Sequence, residues 1–356
     1  MELLALNCGS ATVKHKLVRV DGERCEALDQ GAVELETGHE EAVARIIRGL
    51  PSRPGAVAHR VVHGGDRFSA PALLDEGALR ELERLAALAP LHNPAALAGI
   101  RAAARLGVPM VAVFDTAFHR TIPPVAAVYA VPGLVRDEPR PRRYGFHGIS
   151  HRYVTERYAE LAGEPQPTII TLHLGNGASA TAVRRGESID TSMGLTPLEG
   201  LIMGTRPGDV DAGVALHWLR RGVGVEDLES ALYHQSGLKA LAGTSDMREL
   251  LGRRDGDALL AVDAFCYRIV KYVGAYLAVL GGSEAIVFTG GIGERSPDVR
   301  RRVCGAFEWA GLKLDAGANE RAETRISTPA SSIHAYVIPT DEELQMAREA
   351  ARLLEG

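Results

Sequence analysis

Apolar and polar residues follow two different periods along this chain, and the changes of period mark its elements. Leu3-Leu-Ala-Leu-Asn-Cys8 is a continuous apolar run of strand length, closed by a Gly9-Ser10 turn. Val13, His15 and Leu17, then Val18 and Val20, follow with rough period-two spacing and predict a second strand that folds back on the first. A helix is expected over 40–48, and a strand over 56–62 that runs into Gly64-Gly65. Leu79, Leu82, Leu85 and Leu88 recur at helical spacing within 75–88. A further helix is expected over 94–106, with Pro94 in its first turn and Gly107 behind its end. Val108-Pro-Met-Val-Ala-Val-Phe114 is then a strand that meets Asp115 directly. This order of helix, strand and polar loop is the rhythm of an α/β domain, in which chemistry collects at the carboxyl ends of strands.

The Pro- and Arg-rich stretch 131–142 is the best boundary candidate. Beyond it come a helix over 151–161, a buried strand over 167–174, a Gly175-Asn-Gly177 turn and a returning strand over 178–184. That succession repeats the pattern of 3–20 and points to an internal duplication. A long helix over 258–280, a strand over 284–289 entering Gly290-Gly-Ile-Gly293, a helix over 297–307 and a strand over 332–337 complete the pattern. Thr340-Asp-Glu-Glu343 reads as a capping box with Thr340 as the cap, before a last helix whose apolar stripe is Leu344, Ala347, Ala351 and Leu354.

With 46% apolar residues the chain can fill two cores, and 45 acidic against 40 basic side chains leave a net charge of -5. That balance provides no polybasic field for nucleic acid or membrane, though a local anion site is compatible with it. Met1-Glu-Leu-Leu-Ala-Leu-Asn7 has no cationic leader, so no signal peptide is expected, and no run reaches the ~18 apolar residues of a membrane span. Cys8, Cys25, Cys266 and Cys304 form no Cys-x-x-Cys pair and fit a reducing cytoplasm.

Three stretches are dense in cations and histidine: His59-Arg-Val-Val-His-Gly-Gly65, Phe114-Asp-Thr-Ala-Phe-His119 and Arg142-Arg-Tyr-Gly-Phe-His-Gly-Ile-Ser-His151. Such composition between apolar segments suits an anion site. Three polar glycine loops follow strands, at 7–12, 173–177 and 290–293, and bared backbone N–H groups suit phosphates. No GxxxxGK[ST] motif is present, and the last loop lacks the downstream βαβ and ribose-binding acid of a dinucleotide fold. Arg60 and Arg206 sit in strand-end or glycine-rich settings with few charged neighbours to pair with, which makes them candidate anion holders. His147 reads as a hydrogen-bonding histidine near an anion and His151 as a structural cap; neither i,i+4 histidine pair has the pattern of a zinc site.

A dozen collinear motifs closely resemble the acetate kinase family, of the acetate and sugar kinase/Hsc70/actin superfamily. They run from Asn7-Cys-Gly-Ser10 with Lys14, through the three stretches above, Leu91-His-Asn-Pro94, Asp190-Thr-Ser-Met-Gly194, Thr196-Pro-Leu-Glu-Gly200 and Met203-Gly-Thr-Arg206, to Phe288-Thr-Gly-Gly-Ile-Gly-Glu294 and Ile338-Pro-Thr-Asp-Glu-Glu343. The resemblance implies an α/β fold of two ribonuclease H-like domains of the actin/sugar-kinase/Hsc70 type, with an interdomain active-site cleft. Residues 1–141 would form the carboxylate-side domain, joined by helix 341–356, and 142–340 the nucleotide-binding and dimerisation domain. The implied reaction is reversible, magnesium-dependent transfer of a phosphoryl group from ATP to acetate, giving acetyl phosphate and ADP without an obligatory phosphoenzyme. Propionate or butyrate kinase, or a non-catalytic ATP-binding regulator of the same fold, are the alternatives. The resemblance makes Asp115 the essential carboxylate, orienting Arg206 or the acetate. Arg60 would hold the substrate carboxylate, Arg206 the moving phosphoryl group, and His147 its equatorial oxygens. Asn7 and Glu342 would serve magnesium, or manganese in its place, with Glu343 the rival of Glu342. Lys14, His173, Leu174, Gly175, Asn176, Gly177, Asp246, Met247, Arg248, Gly291, Ile292, Gly293, Glu294 and Arg295 would bind the nucleotide, and Val62, Leu91 and Pro197 would enclose the substrate methyl. A cytoplasmic homodimer acting in acetyl-CoA biosynthesis is implied as well. Pro207 stands where the family usually has serine, Arg295 where asparagine is typical, His15 replaces an aromatic, and the stretch between Val20 and His59 looks trimmed.

Overall fold

The computed structural model describes residues 1–9, 11–22, 24–36, 38–86, 93–135 and 140–356. The chain divides into two compact units: Met1–Arg120 with Phe146–Tyr153 and Asp341–Gly356, and Thr121–Gly145 with Val154–Thr340.

The first unit is built on a sheet of strands β1 (Glu2–Cys8), β2 (Thr12–Asp21), β3 (Arg24–Glu34), β4 (Ala56–Val61), β5 (Ala72–Leu73) and β6 (Met110–Phe114), in the order β3-β2-β1-β4-β6-β5 among the described residues. β1, β2 and β3 pair antiparallel, whereas β1, β4 and β6 run parallel. Both faces are covered. Leu3, Ala5, Val18 and Val20 pack with Met346, Ala347, Ala350 and Ala351 of the C-terminal helix Glu342–Glu355. Leu4, Leu6, Val13 and Leu17 pack on the other face against Ala42, Val43 and Ile46 of the helix His39–Gly49. Side chains alternate across a strand, so a sheet buried on both sides gives β1 its unbroken apolar run. The adjacent Leu17 and Val18 serve opposite cores, which explains why the alternation in β2 is only rough.

The second unit repeats this topology. Strands β7 (Ile169–Leu174), β8 (Ala178–Arg184), β9 (Glu187–Thr191), β10 (Ala285–Thr289) and β11 (His334–Val337) are ordered β11-β10-β7-β8-β9 among the described residues. β7, β8 and β9 are antiparallel, and β7, β10 and β11 parallel. The duplication expected from the hairpin pattern therefore extends to the parallel strands that follow each hairpin. The helix Gly256–Leu280 packs on this sheet, with Ala261, Phe265, Ile269 and Val273 buried; it starts at the Asp255 cap and ends at Gly281 in the left-handed region.

Three local expectations need correction. Asp341, not Thr340, caps the C-terminal helix, accepting from Leu344 N at 3.0 Å; the Thr340 N–H is already taken by Glu294 Oε1 at 3.3 Å. His151, expected as a structural cap, lies inside the first turn of the helix Gly148–Ala162, fully buried, with its ring edge-on to His119 at 5.8 Å. β4 ends at Val61, so Val62 sits in a bend rather than in the strand expected over 56–62.

His59 occupies the middle of β4, registered between Leu6 and Ala112, buried and with no hydrogen-bond partner for Nε2. Burial lowers its pKa from 6.5 to about 3. The native state thus stays neutral while an unfolded chain takes up a proton below pH ~6.5. Stability contributed by the neutral form is present above pH ~6.5 and is lost as pH falls towards 3. In urea titrations, the stability difference between pH 7.5 and 5 should shrink by about 2 kcal/mol in His59→Leu, one proton's share of the linkage. An undiminished difference would show that His59 does not carry this acid limb.

Candidate active site

The parallel strands of the first unit end together and present polar residues at their carboxyl ends. Asn7 and Arg60 each lie one residue before the end of their strands, β1 and β4, and Asp115 follows β6. Arg60 grips Asp115 with a fork: Nε to Oδ1 at 3.2 Å and Nη2 to Oδ2 at 2.6 Å. The Asp115 side chain is only 1% exposed. Arg60 was expected to have few charged neighbours, and Asp115 to orient Arg206 or the acetate. Instead the two residues pair with each other, across a sequence separation of 55 that no local pattern reveals.

Nη1 of Arg60 donates to Asn7 Oδ1 at 3.1 Å, and Asn7 Nδ2 donates to Glu342 Oε2 at 3.3 Å and Glu343 Oε1 at 3.2 Å. Asn7 is therefore a bridge between the Arg60–Asp115 pair and two carboxylates at the start of the C-terminal helix. Burial opposes the charge on Arg60, but Asp115 and Glu342 outweigh it and push its pKa upward. Burial also raises Glu342, to about 7; Arg60 opposes this, while Asp115 and Glu343 add to it. Lys14, registered opposite Asn7 on β2, is exposed and favours the Glu342 charge only weakly. Acidic groups crowded around one arginine, with Glu342 resisting ionisation, form a donor set that suits a hard divalent cation, which takes one or two carboxylates and leaves the remaining positions to water and phosphate. Among the described residues no group of three or more His, Cys, Asp or Glu is arranged to hold a metal ion.

His147 adopts a left-handed backbone, φ 56°, that is uncommon outside glycine. Its neighbours impose it. Gly148 N donates to Asp115 O at 2.9 Å, and a Cβ on Gly148 would lie 2.0 Å from that oxygen. His119 Nε2 donates to Phe146 O at 3.0 Å, and burial lowers the His119 pKa to about 4, so it is a neutral strut. His119 and Gly148 were missed as supports because their partners are carbonyls on distant segments. Asn93 locks the loop after Val62 by a two-way bond to the His63 backbone, at 3.2 and 3.1 Å. Leu91 lies outside the described residues.

In the second unit a cavity of about 610 Å³ opens at the carboxyl ends of β7 and β10. Of the residues expected to bind nucleotide, Gly175, Asn176, Asp246, Met247, Arg248, Gly291, Ile292 and Arg295 line it. Lys14, His173, Leu174, Gly177, Gly293 and Glu294 do not. Glu294 Oε1 accepts from Gly290 N at 3.0 Å and shapes the glycine turn from behind. Gly290 has φ 76°, and a Cβ there would meet Leu174 O at 2.8 Å. Asp246 caps the helix Met247–Gly252 and pairs with Arg248 through Nη2 at 2.6 Å; its pKa falls to about 2, chiefly through that side-chain bond. Arg295 is exposed and has no carboxylate partner among the described residues. Arg206 also lacks one: its Nη1 donates to Pro197 O at 2.8 Å, and burial lowers its pKa to about 10. Arg143, grouped by its sequence context with the anion-site cations, instead pairs with Glu199 at 2.6 Å.

Gly148→Ala should lower stability by about 1–3 kcal/mol, because the new methyl must displace the Asp115 backbone. Gly274→Ala, inside a helix with nothing within 4 Å of the new Cβ, should raise stability slightly. Equal melting temperatures for the two variants would show that the Gly148 contact is slack.

The acetokinase family model matches residues 50–348. An acetate kinase of Thermotoga maritima is 42% identical over 399 aligned positions, which take in 100% of this chain and 99% of the relative. Among solved structures, a Porphyromonas gingivalis acetate kinase superposes with TM-score 0.89 at 37% identity, covering 99% of both chains. A propionate kinase of Francisella tularensis does so with TM-score 0.89 at 38% identity, covering 98% of both. The paired three-strand hairpins with parallel additions are thus the fold of these kinases, and the chain belongs to the acetokinase family.

Proposed function

We propose that the chain is an ATP:acetate phosphotransferase. A carboxylate oxygen of acetate bonds to the γ-phosphorus of ATP as the bond from that phosphorus to the ADP oxygen breaks, and the reverse step makes ATP from acetyl phosphate. The observation that carries this reading is the Arg60 guanidinium, fixed in place by Asp115 and Asn7 at the strand ends of a chain from this family. Phosphoryl transfer needs positioning and charge neutralisation more than covalent help, which suits direct transfer.

Arg60 orients the acetate carboxylate, with Asp115 fixing the guanidinium rather than attacking. Arg206 takes the moving phosphoryl group with the donors that Pro197 leaves unused. His147 donates to the equatorial oxygens. Val62, Leu91 and Pro197 enclose the methyl group. The cavity lined by Gly175, Asn176, Asp246–Arg248 and Gly291–Arg295 takes the nucleotide, with Lys14 adding charge for its phosphates. Asn7 and Glu342, with Glu343 alongside, hold magnesium or manganese, which supplies neutralisation of phosphate charge. Exposed Val225, Leu260 and Tyr267, within 142–340, support assembly as a homodimer through the C-terminal domain. No helix among the described residues is long and apolar enough to cross a membrane, and a cytoplasmic setting in acetyl-CoA metabolism fits the substrate pair. Propionate is the second reading, favoured by the likeness to the Francisella propionate kinase.

Arg60→Lys keeps a charge but loses the fork. The Michaelis constant for acetate should rise roughly tenfold or more, since a charge-assisted bond is worth ~1.5–3 kcal/mol, while that for ATP holds. Unchanged acetate kinetics would remove Arg60 from the carboxylate site. Alanine is the poorer test, because it strands a buried Asp115 and costs about 3–5 kcal/mol of stability.

Val62→Ala should shift the ratio of kcat/KM for propionate over acetate upward by roughly tenfold, as one methylene's space is worth ~1–3 kcal/mol. A core valine would instead lower both activities alike, leaving the ratio where it was.

A further inference from the structure

Arg206 is half-buried and tied to protein at a single point, the Pro197 carbonyl. The position of that carbonyl therefore decides where the guanidinium sits. Pro197 lies in the segment 195–200, which has no regular secondary structure and is held by side chains from elsewhere in the unit. Tyr129 OH accepts from Leu195 N at 3.1 Å and donates to Glu199 Oε2. Arg143 Nη2 donates to Glu199 Oε1 at 2.6 Å, and its Nη1 reaches Ser192 O and Met193 O, each at 3.1 Å. Asp209 Oδ1 accepts from Gly200 N at 2.9 Å and closes the far end. The Arg143 guanidinium also lies 5.7 Å from the centre of the Tyr129 ring. Gly194 leaves room for the clamp: a Cβ there would meet Glu199 Oε2 and Tyr129 OH.

We infer that Glu199, held by Arg143 and Tyr129, is a positioning residue that sets Arg206 through the Pro197 carbonyl. Both oxygens of Glu199 are occupied, one by a cation and one by a phenol, so its side chain cannot turn without breaking a charge-assisted bond. Only Leu198 separates Glu199 from Pro197, too short a link for the loop to absorb a release at one end. None of the clamp residues lines the proposed nucleotide cavity, so its effect should fall on turnover and not on nucleotide binding. The inference rests on the reading of Arg206 as the phosphoryl-holding residue.

Glu199→Gln presents an amide N–H to one of two donors and opens the clamp without changing its volume. The full-length enzyme should lose at least about tenfold in kcat while its dissociation constant for ADP, read by calorimetry, stays within about twofold. If Glu199→Gln does not fold, Tyr129→Phe removes only the phenol and should lower kcat by roughly three- to tenfold with the same split. In an Arg206→Lys background, Glu199→Gln should cost less than about twofold, since residues acting through one another are not additive. Full additivity in that background, or ADP affinity falling in step with kcat, would overturn the positioning role. The two readings fail differently. Wild-type turnover in Arg206→Lys would undo the reading of Arg206 itself. Impaired Arg206→Lys beside an unimpaired Glu199→Gln would undo only the positioning.

Discussion

A buried carboxylate at the end of β6 is the constraint around which the first unit is arranged. Asp115 is almost wholly removed from solvent, and an isolated charge there would cost several kcal/mol. The cost is offset only if a cation is held close with good geometry, and the parallel pairing of β4 with β6 brings Arg60 to that place. Arg60 in turn fixes Asn7, and Asn7 fixes the start of the C-terminal helix. One electrostatic requirement thus ties together three strand ends and the last helix of the chain. The same β6 end anchors Gly148, which forces His147 into its left-handed conformation.

The two units carry opposite imbalances of charge. Around Arg60 stand Asp115, Glu342 and Glu343, more negative groups than the arginine neutralises; burial keeps Glu342 from ionising freely, and the charges of Asp115 and Glu343 add to it. Around Arg206 no carboxylate stands among the described residues, and the cation is left with a carbonyl dipole. Neither arrangement is a relaxed structural ion pair. An acidic cluster is eased by a divalent cation, and an unpaired guanidinium by a phosphoryl oxygen.

The sequence made the framework legible because burial on both faces leaves a direct mark. Leu3–Leu6 could hardly be anything but a strand in a covered sheet, and the two hairpins announced the duplication. The glycine loops were visible because close backbone approach admits few other residues, as at Gly290. Partnerships were not visible. Arg60 with Asp115 and Arg143 with Glu199 are both charge pairs more than 50 residues apart, and residue identity says only that each needs a partner. Capping of the last helix failed for a subtler reason: Thr340 and Asp341 are equally good cap residues, and the choice was made by Glu294, which consumes the Thr340 N–H from another segment.

Arginine shows most clearly what separates a structural role from an available one. The guanidinium has five N–H donors, and their occupancy is a physical criterion that sequence context lacks. Arg300 is completely buried, yet it donates to Asn319 Oδ1 and O and to the Gly293 and Glu294 carbonyls, at 2.5 to 2.9 Å. Four of its five donors are committed to protein, and Arg300 fastens the segment behind the cavity wall. Arg206 makes one such bond and keeps the rest of its donors. Arg60 lies between these cases, with Nε, Nη1 and Nη2 each committed once and the second hydrogens of both terminal nitrogens unspent. A carboxylate accepts from two donors, and two remain on Arg60 after it has fixed itself in place. The residue can be rigid and receptive at once because Asp115 uses one edge of the fork and leaves another.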